Sequence, residues 1–136
     1  MRLAQWTLEP GSKGSQSAEV AIFYFGPGEG GSAEANLQRW YGQFEQPDGT
    51  ATRDRAEVRR FQVNGLAITR ADMEGTYVAE VRPGAPEKHH QPEYRMIAAV
   101  VEGPNGPWFI RLLGPEETVR RWEADFDRFL HSVRVE

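Results

Sequence analysis

Two places in this chain share one arrangement, in which an apolar segment runs into Gly-Pro and then into an acidic segment. The first is residues 20–25 followed by Gly26-Pro27, and the second is residues 108–113 followed by Gly114-Pro115. Each apolar segment has the length and composition of a buried strand, and carboxylates favour the N-terminus of a helix. The sequence therefore predicts two junctions at which a buried strand ends and a covering helix begins.

The first junction also spells G-x-G-x-x-G with Gly26, Gly28 and Gly31, which is the dinucleotide-binding fingerprint. That fingerprint requires a parallel strand that ends in an acidic residue about 20 positions later, whereas residues 50–54 form a polar stretch. Glu29 would also place a negative charge beside a bound pyrophosphate. We therefore interpret the glycines as a structural turn in which Gly26 and Gly31 provide positive φ or a close approach of the backbone.

The helix that follows this turn leaves one alternative open. Ser32 is a favourable N-cap residue, and the backbone amides of Ser32 and Ala33 could bind an anion at the helix N-terminus. The turn lacks the lysine of a phosphate-binding loop, and we expect no bound cofactor.

Length, charge and cysteine content exclude several classes of protein. The 136 residues fit a single domain, residues 1–136, and the net charge of −4 argues against a nucleic-acid-binding protein. The absence of cysteine excludes disulfides, thiolate zinc sites and cysteine nucleophiles. The chain shows no membrane-spanning run and no signal peptide, and Met1 lies so close to the first predicted strand that a missing leader is one expectation.

Hydrophobic spacing predicts seven strands and two amphipathic helices. The predicted strands are residues 2–8, 20–25, 57–63, 66–72, 76–82, 94–102 and 107–113, and the predicted helices are residues 33–44 and a final helix after Pro115. Asn64-Gly65 is a strong hairpin signal, and hairpins pair their strands antiparallel. The apolar stripe expected on the final helix is Val119, Trp122, Phe126, Phe129, Leu130 and Val133.

The expected fold belongs to the α+β class and has the order β-β-α-β-β-β-β-β-α. Two amphipathic helices can cover one face or both faces of a sheet, and two strands that are apolar on both sides favour both faces. We expect an α/β/α sandwich around a central, largely antiparallel sheet of about six to seven strands.

Several segments resemble known proteins. The element order and the closing block from Trp108 to Trp122 are similar to the PsbP-like superfamily, which includes the photosystem II extrinsic protein PsbP and a Ran-binding nuclear import factor. Residues 23–32, 43–49 and 82–88 resemble more closely an uncharacterised bacterial family of secreted or lipoprotein-like domains. The resemblance implies a PsbP-like domain with a scaffold or assembly role in the periplasm or outside the cell, and it carries over no functional residue.

The proline-rich segment from Pro83 to Pro92 is the best candidate for a functional surface. It is longer than an ordinary hairpin loop, and its prolines restrict the chain, which lowers the entropy lost when a partner binds. We predict a non-enzymatic module that binds a protein or a small ligand through residues 83–93 or through a sheet edge, and a structural cover over the sheet is the alternative. The predicted contact residues are Arg82, Lys88, His89, Tyr94 and Arg95.

Two other functions stay open. Glu87, His89 and His90 could supply carboxylate and imidazole ligands to zinc or copper, although adjacent residues of an extended segment point in opposite directions. An enzyme of unknown class would need a concave pocket that holds carboxylates with displaced pKa values, and the sequence shows no nucleophile–base motif.

Overall fold

The antiparallel hairpins that the turn sequences predict dominate the architecture. The computed structural model describes residues 2–11 and 14–135, so Met1, Glu136 and two residues of the connection after the first strand lie outside the described residues. Within these ranges the chain forms one seven-stranded sheet and three helices, and every strand pair is antiparallel. The fold is therefore mixed α+β and consists mostly of sheet.

The elements follow one another in an order that differs from the predicted one. The strands are β1 (Arg2–Leu8), β2 (Ala18–Tyr24), β3 (Phe44–Glu45), β4 (Glu57–Val63), β5 (Leu66–Tyr77), β6 (Gln91–Gly103) and β7 (Gly106–Pro115). The helices are α1 (Ala33–Tyr41), α2 (Thr52–Arg55) and α3 (Glu116–Leu130). The observed order is β-β-α-β-α-β-β-β-β-α, and the predicted order β-β-α-β-β-β-β-β-α is wrong.

Local features explain the difference. The predicted separate strand 76–82 is wrong, because β5 continues to Tyr77 through a register shift after Gly75. A Cβ atom at Gly75 would lie 2.8 Å from the carbonyl oxygen of Glu45, so glycine lets β3 approach and pair with the end of β5. The predicted helix 33–44 ends at Tyr41 and gives way to β3, and α2 is a single helical turn that begins within the polar stretch 50–54.

The most buried strand is not the one that the sequence suggested. The strand order is β1-β2-β7-β6-β5, and both β3 and β4 pair with the far side of β5. Residues 95–101 of β6 are all buried. The predicted central segment, residues 20–25, is half-buried apart from Ala21, because β2 lies only one strand from the edge.

Apolar side chains gather in two clusters on opposite faces of the sheet, because successive residues of a strand point to opposite sides. Phe126 of α3 belongs to one cluster together with Ile97 of β6. Leu37 and Trp40 of α1 belong to the other, together with Ala98 of β6. The two sides are termed the α3 face and the α1 face below.

The stripe of α3 is buried along its centre and partly open along its flank. Val119, Phe126 and Leu130 are buried, as predicted. Phe129 is 41% exposed, so its assignment to the buried stripe is wrong, because it lies at the flank of the face that meets the sheet. Half-buried Trp122 donates its indole N–H to the carbonyl oxygen of Glu9 at 2.8 Å. In the part of the chain that the structure describes, no helix is long and apolar enough to cross a membrane.

The two Gly-Pro junctions use glycine for different purposes. Gly26 and Gly31 have φ of +92° and +81°, which confirms the positive φ predicted for this turn. Gly114 instead lies inside β7, where a Cβ atom would come within 2.7 Å of Ala18 in β2. The first glycines therefore reverse the chain before α1, whereas the second lets β2 and β7 approach closely.

Candidate functional site

A groove opens on the α1 face of the sheet. It is bordered by α1 and by residues 78–83 and 88–89, and its volume is about 1330 Å³. We term it the aromatic groove and define it by the residues on its floor and walls, which are Phe23, Phe25, Gln43, Tyr77, Tyr94, Phe109 and Arg111. Four strands and the end of α1 bring these residues together, although they are far apart in sequence.

Arg111 is the cation at the floor of the aromatic groove. It interrupts the apolar run of β7 and pairs with Ala21 of β2. Its side chain is 18% exposed, its Nη2 lies 3.8 Å from Oε1 of Glu19, and its guanidinium carbon lies 5.7 Å from the ring centroid of Phe23. Its Nε is buried and has no hydrogen-bond partner among the described residues. This N–H therefore has no hydrogen bond to offset the cost of its burial.

Gln43 carries a second buried group without a partner. The backbone carbonyl oxygen of Gln43 accepts a hydrogen bond from the backbone N–H of Val78 at 2.8 Å, and this bond joins the end of α1 to the segment after β5. The side-chain Oε1 is buried and accepts no hydrogen bond from residues 2–11 or 14–135. Buried polar atoms are nearly always paired in native proteins, so Gln43 and Arg111 mark a place where a bound molecule would complete the bonding.

Aromatic rings line the groove beside these two polar groups. The ring centroids of Tyr77 and Tyr94 are 5.9 Å apart, and those of Tyr77 and His89 are 5.3 Å apart. Burial raises the pKa of Tyr77 and of Tyr94 above the usual value of 10.0, so both hydroxyls stay protonated at neutral pH. The Tyr94 hydroxyl donates to Oε1 of Gln16 at 3.2 Å.

The segment after β5 is held in place by its own backbone hydrogen bonds. The N–H of His89 donates to the carbonyl oxygen of Ala79 at 2.8 Å. The N–H of Val81 donates to the carbonyl oxygen of Glu87 at 3.0 Å. A β-bridge joins Glu80 and Lys88 between these two bonds. The segment therefore forms a short closed ladder, and its position at the groove is fixed before any ligand binds.

The aromatic groove has a local excess of positive charge. Its charged lining residues are four basic and two acidic, namely Arg39, Arg82, Lys88, Arg111, Glu19 and Glu80. The complete chain has a net charge of −4. A positive region on a negative protein attracts anions to that place in preference to the rest of the surface.

A second open groove, of about 1390 Å³, has the opposite charge. Its charged lining residues are six acidic and two basic, namely Glu57, Asp72, Glu74, Glu93, Glu116, Glu117, Arg55 and Arg120. Several of these charges are already paired: Arg120 lies 3.0 Å from Glu116, and Arg55 pairs with Asp48. The second groove should therefore attract an anion less strongly than the aromatic groove does.

The structure brings four of the five predicted contact residues to the aromatic groove. Arg82, Lys88, His89 and Tyr94 all line it. Arg95 does not, because it follows Tyr94 in β6 and so points to the α3 face. Its predicted grouping with the other four is therefore incorrect for this structure.

Arg95 belongs instead to a network of charges beneath α3. Its Nε and Nη2 donate to the two carboxylate oxygens of Asp72 at 2.9 and 2.6 Å, and Nη2 also donates to Glu123 at 3.0 Å. The hydrogen bond with Asp72 holds the pKa of Arg95 above its usual range, although burial opposes the shift. Arg70 binds the other oxygen of Glu123 at 3.3 Å and Asp127 at 2.9 Å, so Glu123 connects the two arginines.

The residues of the metal and anion hypotheses lie as follows. His90 and Glu87 are exposed, while half-buried His89 lies against Tyr77, and the described residues contain no group of three or more metal-binding side chains. Ser32 caps α1, since its Oγ accepts the N–H of Ala35 at 3.1 Å, and Ala33 begins the helix. Both hypotheses stay predictions.

Sequence reasoning did not identify Phe23, Gln43, Tyr77 and Arg111 as site residues. A signal for Arg111 was present, because it is the one charge within the apolar run 108–113. A lone charge in a strand that is expected to be buried needs a partner or a ligand. No comparable signal marks Gln43, whose burial depends on the packing of α1 against the sheet.

Comparison with known proteins supports the fold. The structure is similar to the crystal structure of PA94, a Pseudomonas aeruginosa protein of unknown function that is described as a proposed regulator. The TM-score is 0.62 at 12% sequence identity, and the match covers 98% of this chain and 82% of PA94. No family model matches the chain, and a search of curated proteins finds no match. At this identity the similarity shows a shared fold.

Proposed function

We propose that this protein is a non-enzymatic binding module whose ligand occupies the aromatic groove. The observation that carries the proposal is the buried, unpartnered Nε of Arg111. A buried donor without an acceptor costs about 1–3 kcal/mol, and more when the group is charged. A ligand that supplies an acceptor removes this cost. Part of the binding free energy therefore comes from pairing a donor that is unpaired in the unbound protein.

The surroundings of Arg111 support binding in the same place. Gln43 offers a buried acceptor beside the groove, and the ladder formed by residues 79–89 fixes one wall. A wall that is already ordered loses little entropy when a ligand arrives. The ligand would contact four of the predicted contact residues, Arg82, Lys88, His89 and Tyr94, because these line the groove.

The family resemblance belongs to the same proposal. In it, the chain is a PsbP-like domain with an α/β/α sandwich, located in the periplasm or outside the cell. Clusters on opposite faces of the sheet, one with α3 and one with α1, favour the sandwich. An assembly partner that presents a side chain to the groove is the protein-binding form of this function.

Fragment mapping by nuclear magnetic resonance tests the proposal. Indole, phenol, benzoate and benzamide are titrated separately into isotope-labelled protein, and backbone amide shifts are followed. We expect at least one fragment to shift the amides of β2, β7 and residues 78–83 together, because these segments share the groove. Shifts that cluster elsewhere, or no shifts at millimolar fragment, would contradict the proposal.

A matched pair of variants separates groove binding from general adhesion to aromatic surface. Phe23→Ala removes a ring from the groove, whereas Phe129→Ala removes a ring that is 41% exposed on α3. We expect Phe23→Ala to weaken fragment binding and Phe129→Ala to leave it unchanged. Equal effects of the two variants would show that the fragments bind exposed rings without preference for the groove.

A further inference from the structure

The groups at the aromatic groove restrict the chemistry of its ligand. We infer that the ligand is a small organic acid that combines an aromatic body with a hydrogen-bond donor. This inference rests on the proposed function, and it goes further by naming the class of molecule. Charge, ring geometry and the buried acceptor each support one part of it.

The acidic group follows from Arg111 and the charges around it. The guanidinium is one-fifth exposed or less, its Nε has no acceptor among the described residues, and its nearest carboxylate, Glu19, is 3.8 Å away. An arginine in this state can still donate from its planar fork to a carboxylate, which is the geometry that arginine recognises best. The two further cations on the rim, Arg82 and Lys88, favour the same charge on the ligand.

The aromatic body follows from the rings that surround the guanidinium. Phe23 lies beneath Arg111 at 5.7 Å, and Tyr77 and Tyr94 continue the apolar wall. Flat side chains of this kind favour a flat apolar group, which can stack or meet them edge to face. A simple inorganic anion would leave these rings in contact with water.

The donor follows from Gln43. Its Oε1 is buried and accepts no hydrogen bond from the described residues, and a carbonyl oxygen can only accept. A ligand that presents an N–H or an O–H to this oxygen would complete its hydrogen bonding. An acylated aromatic amino acid contains all three features, since its carboxylate, ring and amide N–H are joined in one small molecule.

The groove lies between two elements of the same chain, α1 and the segment after β5, and it is open to solvent. Its volume of about 1330 Å³ exceeds the usual range for small-molecule pockets, which is about 300–1,000 Å³. The inferred ligand would therefore occupy only the part of the groove beside Arg111 and Gln43.

Isothermal titration calorimetry with two matched probes tests the inference. The probes are N-acetyl-L-phenylalanine and its neutral amide, N-acetyl-L-phenylalaninamide, which differ in the acid alone. Charge-assisted hydrogen bonds are the stronger ones, so we expect the wild-type protein to bind the acid about ten-fold more tightly or better. The preference should fall as salt is raised, because the groove is open to solvent.

Variants at the two buried groups assign the preference to its residues. Arg111→Gln should remove the preference, so that the acid and the amide bind with similar affinity, and Arg111→Lys should restore part of it because the charge returns without the planar fork. Gln43→Met should weaken both probes several-fold, because both carry the N–H that Oε1 accepts. The comparison of probes on wild-type protein needs no variant, so it stands even where a variant folds poorly.

The possible outcomes distinguish this inference from the proposed function. Equal wild-type affinity for the acid and the amide would overturn the acid requirement and leave groove binding intact. Failure of both probes to bind, while neutral fragments still shift groove amides, would overturn the ligand class alone. Failure of the probes and of every fragment would overturn the proposed function as well.

Discussion

Arg95 and Arg111 lie on the paired strands β6 and β7 and face opposite sides of the sheet. Their side chains are 10% and 18% exposed, so both are largely buried. Arg95 is surrounded by carboxylates that it meets at hydrogen-bond distance, whereas the Nε of Arg111 meets none in the described ranges. Burial does not distinguish the two arginines, but pairing does. Arg95 therefore supports the fold, whereas Arg111 keeps an unused donor, which we propose that the ligand satisfies.

The same contrast holds for the two faces of the sheet. α3 has 15 residues and closes its face with an apolar stripe and the Glu123 network. α1 has nine residues and leaves part of its face as the aromatic groove. The α3 face should therefore account for more of the stability of the fold, and the α1 face for binding. Substitutions on the two faces should separate these properties.

The largest loss of stability is expected from Phe126→Ala. Phe126 is buried between α3 and the sheet, and removing a buried phenylalanine ring costs about 3–5 kcal/mol through lost contacts and a cavity. Chemical denaturation of the purified variant measures this loss. A loss below about 1 kcal/mol would mean that α3 does not pack through this residue.

Arg95→Met should destabilise the fold by about 3 kcal/mol, because Asp72, whose side chain is 15% exposed, would lose both of its close hydrogen bonds with Arg95. A lower denaturant midpoint, with an unchanged dependence of the unfolding free energy on denaturant concentration, would show that the variant has lost stability. Double substitution of Arg95 and Asp72 by apolar residues should recover part of the loss, since it removes the stranded charge. A neutral single variant would show that the network does not support the α3 face.

Arg111→Met should not destabilise the fold and should raise the free energy of unfolding by about 1 kcal/mol. It removes an unsatisfied buried donor, and Glu19 keeps access to water because its side chain is 35% exposed. This variant is the matched partner of Arg95→Met on the adjacent strand. If both variants lost the same stability, the distinction between a structural and an available arginine would fail.

The smallest effect is expected for Tyr77→Phe, and only at high pH. Burial raises the pKa of Tyr77 above 10.0, so the folded protein keeps this proton to a higher pH than the unfolded chain does. The free energy of unfolding should therefore fall as pH rises above about 10, and Tyr77→Phe should reduce this fall. Urea midpoints of both proteins from pH 8 to 10.5 measure the difference. Parallel profiles would show that the hydroxyl is not desolvated.

Short-range signals explain what the sequence predicted well. The Asn64-Gly65 turn, the Gly26 and Gly31 conformations and the N-cap at Ser32 depend on residues that are close in the chain. The course of β5 at Gly75 depends instead on β3, which arrives from another part of the chain. A glycine that ends a strand and one that bends it look alike in sequence, so this error reflects tertiary structure.

The candidate site shows the same division. The loop residues Arg82, Lys88 and His89 could be predicted as a surface because proline and length mark the segment. The floor could not be predicted, because it requires the register that places Phe23 and Arg111 at diagonal positions on one face of β2 and β7. Arg95 was grouped with Tyr94 because the two are adjacent in the chain, although the side chains of adjacent strand residues point to opposite faces of the sheet.

The divergence of neighbouring residues in β6 and β7 has a consequence for how such a protein can change. Alternate positions of one strand serve the groove, and the positions between them serve the packing of α3. Selection for a new ligand can therefore act on one set of positions while the other set continues to specify the fold. Laboratory evolution that randomises only the groove-facing positions should yield altered binding preferences in a scaffold that still folds.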